Sequence, residues 1–376
     1  MKLMIGADVV PTKANTALFE KGDGAGLVGS ELLSLLHQAD AAVINLEVPL
    51  TDRQTPIEKH GPALRAATSC IEGYKALGIT LAAAANNHIL DQGTEGLFST
   101  IRVLDEAGIA HVGAGENLAE AAKPYILQKG DVSVGVIACA EHEFSIAGEK
   151  RPGANPFDPL TVPDQVAELK KDCDHVIVLY HGGKELYRYP SPQLQKTCRK
   201  LVEKGADLVI CQHSHCIGCE EKYQGGRIIY GQGNLLFDLD DHECWLTGLL
   251  LEVDTEGGLN VTYHPVVKNG HAVRLAEGAE AAEILDAFRA RGEEIRKDGF
   301  IEENYRKFAA EMFHVYENAV FGKRGFATKV LNRLSGGRYY RRLLKNKYTK
   351  AQRIALENFI ECEAHRELWL EGLKNG

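Results

Sequence analysis

Carboxylates, amides and imidazoles recur in this chain at the ends of short apolar runs. Asp8 closes the run that begins at Leu3, and Asn45-Leu46-Glu47 closes the run from Ala41. Asn86-Asn87-His88 follows Thr80–Ala85, with Asp91 just beyond. His181-Gly182-Gly183 follows His175–Tyr180, and Gln212-His213-Ser214-His215 follows Leu208–Cys211. Carboxylate oxygens, an amide oxygen and imidazole nitrogens suit Mn, Zn or Fe better than Ca or Mg. A carboxylate bridging two such ions about 3.5–4 Å apart supports hydrolysis, because the pair lowers the pKa of a bound water and clamps a phosphate. His213 and His215 can turn both rings to one metal-binding region from a loop, and on a strand i and i+2 share a face. Singly, each residue has a plainer explanation. A strand-end Asp or Asn caps helices or forms turns, and an isolated buried His is commonly a hydrogen-bonded core residue. Five separate strand ends with coordinating side chains argue for a metal site.

The elements that must position these residues alternate. Leu3–Ala7, Ala41–Leu46, Thr80–Ala85, Val132–Cys139, His175–Tyr180 and Leu208–Cys211 read as buried strands. Leu27–Gln38, Cys70–Leu77, Thr94–Ala107, Val162–Asp172 and Gln193–Glu203 read as amphipathic helices between them. Such alternation implies βαβ units and a largely parallel sheet, whose ligands collect outside the carboxyl ends of the strands. After Gly218 the pattern changes. Glu220–Tyr223, Arg227–Tyr230, Trp245–Asp254 and Leu259–Val266 read as antiparallel strands, with a turn at Glu256-Gly257-Gly258. The expectation is a layered, two-sheet α/β body over residues 1–270 and an α-helical appendage over 276–376.

The chain has 376 residues, 44% hydrophobic and 25% charged, which is ordinary globular usage. Its formal net charge of −9 disfavours a nucleic-acid binder. That charge is unevenly spread: Phe321–Arg353 carries eleven Lys/Arg and no Asp or Glu, leaving −20 on the remainder. The basic run is expected to be a solvated helix face or to pair with acidic surface. Next in order comes peripheral contact with an anionic membrane surface, because Tyr339, Tyr340, Leu343 and Leu344 interleave with the charges. The N-terminal apolar run of about four residues is shorter than the roughly 7–15 of a signal-peptide core, so a cytoplasmic location is expected. The nine cysteines are an odd number and scattered, which fits reduced packing thiols. Cys216-Ile-Gly-Cys219 lacks the second CxxC that a zinc knuckle would need.

At these residues the sequence resembles the capsule-synthesis protein CapA family, the poly-γ-glutamate biosynthesis proteins. The matching pieces are Gly6-Ala7-Asp8, Asn45 to Thr51, Ala85 to Gly93 and His181-Gly182-Gly183-Lys184-Glu185. Gly205–Ile210 running into His213-Ser214-His215, and Tyr230 to Asp238, complete them. The resemblance implies a calcineurin-like metallophosphoesterase fold, layered α/β/β/α with mixed sheets, and a C-terminal helical extension outside it. It implies Asp8, Glu47, Asn87, His181, His213 and His215 as ligands of one or two divalent metal ions, with Glu47 bridging. It also implies His88 as the general acid, Asp91 orienting His88, and Asn45, Arg65 and Asn234 near the substrate. Metallophosphoesterases usually carry a His two residues after the first Asp, and here that position is Val10.

The resulting expectation is a metal-dependent hydrolase of a phosphoester or related anionic substrate. Two alternatives stand beside it. One is a non-phosphatase accessory protein that binds an anionic capsular polymer. The other is an amide- or peptide-directed hydrolase or epimerase on the same fold. The resemblance also makes the run 321–353 a candidate contact with the capsule machinery.

Overall fold

The computed structural model describes residues 1–238, 242–321, 326–344, 349–362, 365–366, 369 and 372–373. Its strands in chain order are β1 (Lys2–Val10), β2 (Ala41–Leu46), β3 (Leu81–Ala83), β4 (Ala110–Val112), β5 (Ala114–Gly115), β6 (Tyr125–Lys129), β7 (Val132–Ala140), β8 (Gly153–Ala154), β9 (His175–His181), β10 (Leu208–Gln212), β11 (Glu220–Tyr223), β12 (Gly226–Tyr230), β13 (Asn234–Phe237), β14 (Thr247–Asp254), β15 (Asn260–Asn269) and β16 (Ala272–Leu275). The helices are α1 (Thr16–Lys21), α2 (Gly24–Gln38), α3 (Ile71–Ala76), α4 (Gly93–Glu106), α5 (Leu118–Ala121), α6 (Val162–Asp172), α7 (Pro192–Glu203), α8 (Gly278–Glu294), α9 (Phe300–Phe321), α10 (Phe326–Leu334), α11 (Arg338–Leu344) and α12 (Lys350–Glu361).

The strands form an eight-stranded sheet in the order β16-β15-β14-β1-β2-β3-β4, with β13 also on β1, and a six-stranded sheet in the order β11-β12-β10-β9-β7-β6. Alternation along each strand sorts its side chains between layers. Leu3 and Ile5 of β1 join Ile177 and Leu179 of β9 and Leu208 and Ile210 of β10 in a core between the sheets. Met4, Ala42 and Ile44 face the other way, onto Leu27 and Leu32 of α2 and Tyr74 of α3. Val176, Val178 and Val209 pack outward on Val166 of α6 and Leu201 of α7. Helix, sheet, sheet and helix therefore stack in that order, the layering the resemblance implies. Strands covered on both faces must be apolar throughout, which is why these runs are continuous. Each fully buried Val, Leu or Ile contributes about 1.5–3 kcal/mol.

Three features depart from the sequence expectation. β12 pairs parallel to β10, and only β11 is antiparallel to it. β6 and β16 were not anticipated: β6 mixes exposed and half-buried residues, and β16 is half-buried throughout. β13, four residues long and following Gly231 and Gly233, runs parallel to β1. The turn between β14 and β15 falls at Glu256–Gly258 as expected.

The chain separates into two compact units, Met1–Glu302 and Glu303–Gly376. The first includes α8, whose Phe288 enters the inter-sheet core and whose Arg291 donates to the Gly218 carbonyl at 2.7 Å. The second is helical. Thr349 and Gln352 form a reciprocal capping box at the start of α12, and the Arg353 guanidinium lies 6.0 Å from the Phe313 ring centre. Parts of the basic run, residues 322–325 and 345–348, lie outside the described residues. Among the described residues no helix is long and apolar enough to cross a membrane.

Candidate metal centre

Parallel strands β1, β2, β3, β9 and β10 end at one edge, and the polar residues gather there. β1 is irregular at Asp8, where its registers with both β2 and β13 shift. A bulge of this kind re-aims a side chain and frees backbone carbonyls. Here Gln232 donates to the Ile5 carbonyl at 2.6 Å, and Gln212 donates to that of Gly6 at 3.2 Å. The two buried glutamines thus satisfy backbone that the irregular strand leaves unpaired.

Asp8 and Glu47 are completely buried. Asn45 joins them to the histidines. Its amide donates to Asp8 Oδ1 at 2.6 Å and to His181 Nδ1 at 3.1 Å, and its carbonyl accepts from Asn86 at 3.1 Å. Asn45 was expected beside the substrate. It is instead fully buried, with both ends of its amide engaged in orienting other groups. With Nδ1 turned to Asn45, the other ring nitrogen of His181, Nε2, lies 3.0 Å from Asn87 Oδ1 and 3.3 Å from Glu47 Oε1.

His213 and His215 sit just past β10 in left-handed backbone, with φ of 87° and 53°. Non-glycine residues hold such conformations only where the surroundings impose them, typically at functional sites. The strained loop turns the rings inward. Ring centres of His181 and His213 are 4.8 Å apart. His215 Nδ1 lies 2.9 Å from Asn234 Oδ1 and 3.3 Å from Asp8 Oδ2. Trp245 stacks on the His215 ring at 4.4 Å and fixes its plane. Candidate ligand atoms of Glu47, His213 and His215 all lie within 4.8 Å of one another.

Charge in this space is unbalanced. Burial, followed by repulsion from Asp8 and Glu185, pushes the Glu47 carboxyl well above its usual range. Burial, then the neighbouring rings, pushes His181 and His213 well below the ordinary imidazole value. His215 goes the other way: burial lowers it, but the Asp8 carboxylate beside it and the bond to Asn234 together outweigh that and raise it. Both oxygens of Glu47, Asp8 Oδ2, His213 Nδ1 and Asn234 Nδ2 are buried without a hydrogen-bond partner. Carboxylate oxygens removed from water are costly unless they are paired or hold a cation.

His88 lies beside this cluster. Its Nδ1 is 2.5 Å from Asp91 Oδ2, and its backbone N–H donates to Asn86 Oδ1 at 3.1 Å. Asp91 also accepts from the Leu64 N–H and from the Lys59 ammonium, each at 2.6 Å. Lys59 was not anticipated. It lies in an irregular polar loop with no periodicity to mark it, yet its side chain is only 3% exposed. It also donates to the Asn87 carbonyl at 3.2 Å. Glu143 and Glu185 were missed as well, each 3.9 Å from His213 Nε2. Glu185 lies in the His181–Glu185 stretch that carries the resemblance, which marks it; Glu143 and Trp245 carry no such mark. Arg65 is exposed and donates to the Thr51 carbonyl at 3.1 Å. All nine cysteines are free, and Cys216 and Cys219 are buried.

A family model described as "Bacterial capsule synthesis protein PGA_cap" matches residues 3–239. The chain is 30% identical over 181 residues to "Capsule biosynthesis protein CapA" of Bacillus anthracis, covering 46% of this chain and 44% of that protein. It is 31% identical over 239 residues to a "Probable polyglutamine synthesis accessory protein" of Mycobacterium tuberculosis, covering 59% of this chain and 63% of the relative. The matched span is thus about half the length of these relatives. Among solved structures, a putative 5'-nucleotidase from Staphylococcus aureus superposes with TM-score 0.44 at 14% identity, covering 76% of this chain and 57% of that one. With well over half of its length matched by the family model, the chain belongs to the bacterial capsule synthesis protein PGA_cap family.

Proposed function

We propose that this protein is a metal-dependent hydrolase acting on a phosphoester or related anionic substrate during the assembly of a capsular or poly-γ-glutamate-type polymer. The observation that carries this reading is the set of orphaned, buried ligand atoms on Asp8, Glu47 and His213 at the ends of three strands. Their chemistry fits a divalent ion such as Mn, Zn or Fe. Asp8, Glu47, Asn87, His181, His213 and His215 would hold it. When bound, such an ion neutralises the buried carboxylates, polarises the anionic substrate and acidifies water at the site.

The remaining work falls to side chains of this chain. Asp91 accepts the proton of His88 Nδ1 and holds the ring with Nε2 free for the site; the imidazolium form would give its Nε2 proton to the departing oxygen and keep the Nδ1 proton on Asp91. Lys59, held on Asp91 and on the Asn87 carbonyl, keeps that carboxylate from turning away. Asn45 and Asn86 lock Asp8, His181 and the His88 loop together, so the donors are preorganised before substrate arrives.

The test is metal analysis of the purified protein, then a panel of phosphomonoesters and phosphodiesters with added Mn, Zn or Fe. Metal-dependent turnover that is lost in His88→Ala is the expected result. A metal-loaded protein inert across the panel, with His88→Ala indistinguishable from wild type in every assay, would sink the reading. The relative called an accessory protein and the eleven-cation run favour a second reading. In it the chain binds the polymer and cleaves nothing, and retention on polyglutamate would persist in His88→Ala.

A further inference from the structure

We propose that Asn234 is a metal ligand, completing the half of the centre built on Asp8 and His215. This rests on the metal-dependent reading above and concerns which residue takes the place that Val10 leaves empty of a donor. Val10 cannot serve. Its side chain is 2% exposed and packs with Phe19, Leu27 and Phe237 in the core outside the first sheet.

β13 brings a replacement from the other side of β1. Asn234 stands directly opposite Asp8 in that parallel pairing. The close approach depends on two glycines. A Cβ on Gly6 would lie 2.5 Å from Leu235 Cδ2, and one on Gly248 would lie 2.0 Å from the Asn234 carbonyl oxygen. At Gly248 a side chain would meet backbone, push β13 away and withdraw Asn234, whereas at Gly6 it would meet the Leu235 side chain that packs there.

The donor atoms are spaced as ligands of one ion are. Asn234 Oδ1 is 2.9 Å and Asp8 Oδ2 is 3.3 Å from His215 Nδ1. Ligands bound at about 2.0–2.2 Å stand roughly 3.0 Å apart at octahedral angles and roughly 3.4 Å apart at tetrahedral ones. The other half shows the same spacing: His181 Nε2 is 3.0 Å from Asn87 Oδ1 and 3.3 Å from Glu47 Oε1. Each half then offers a histidine nitrogen, an asparagine oxygen and a carboxylate oxygen. Asn234 is 5% exposed, and its Nδ2 has no hydrogen-bond partner. A purely structural asparagine in a core would use both ends of its amide.

Cobalt separates ligation from packing. The full-length wild type, freed of metal and titrated with Co(II), takes up two equivalents. Asn234→Ala takes up one. Asn234→Cys regains the second and gains a near-ultraviolet sulfur-to-cobalt charge-transfer band absent from wild type, which a merely structural position 234 would not produce. Asn234→Asp, with its oxygen kept, binds two and covers the case in which the alanine variant does not fold. Two equivalents in Asn234→Ala at unchanged affinity would overturn the assignment. So would no band in a cysteine variant that binds two, or a single equivalent in wild type. A wild type that binds no cobalt would instead overturn the metal-dependent reading itself.

Discussion

At the residue scale, what matters most is how few of the buried polar groups are interchangeable. His88 makes its one strong contact with Asp91, so His88→Ala should remove the general acid without disturbing the ligands. A loss of about 10²–10⁴ in turnover is expected with metal content unchanged, checked by steady-state rates beside elemental analysis. Lys59 and Asp91 form an ion pair with side chains 3% and 0% exposed. Removing one partner leaves the other charge buried, so Lys59→Met should cost about 3–5 kcal/mol in urea denaturation. Adding Asp91→Asn should recover part of it; a double variant no better than the single one would show that the pair is not the cause. The histidines make stability depend on pH. Burial holds His181 and His213 well below their unfolded value of about 6.5. The unfolded chain then binds protons that the native rings refuse. Their contribution is therefore complete above about pH 6.5 and is lost as pH falls, by up to about 1.4 kcal/mol per pH unit per ring. His215, held up beside Asp8, works oppositely, its contribution present below about 6.5 and lost as pH rises through its raised value. In chelator-treated protein, His213→Gln should flatten the acid side of the melting profile. A profile with unchanged slope would show that this ring protonates freely in the fold.

At the scale of elements, the site depends on the irregular end of β1 and on β13. The shift at Asp8 turns the carboxylate toward the strand ends, and Gln212 and Gln232 satisfy the carbonyls it exposes. Gly248→Ala would place a methyl group 2.0 Å from the Asn234 carbonyl oxygen. Backbone on both sides leaves little room to yield, so a cost of about 1–3 kcal/mol and weaker metal uptake are expected together. Denaturation and metal titration of the same preparation check this. Lost stability with unchanged uptake would mean that β13 moves without carrying a ligand.

At the scale of the molecule, charge and compact units divide the chain along similar lines. The unit Met1–Glu302 contains every candidate ligand, and the basic run falls wholly within Glu303–Gly376. A chain ending at Glu302 should keep its metal uptake. It should lose any retention on poly-γ-glutamate, retention that in the full chain weakens as added salt shortens the screening length. Equal, salt-insensitive retention by both chains would assign the polymer contact to the body and remove electrostatics as its cause.

Much of this was legible in one dimension. The apolar runs between Leu3 and Cys211 had to be strands because they are continuous and short. Their polar ends had to meet because a largely parallel sheet collects its carboxyl ends on one side. The types Asp8, Glu47, Asn87, His181, His213 and His215 determined the class of ion they could hold. Spacing along the chain could not reveal partners that come from loops or from across the sheet. Lys59 reaches Asp91 from an irregular segment, and β13 is four residues without alternation, so nothing local marks either. Asn45 read as a substrate contact until the packing of five strand ends showed its amide consumed by Asp8, His181 and Asn86. Residue chemistry is local and survives in the sequence. Which lone pairs are left without partners depends on every neighbour at once, and only the tertiary structure decides that.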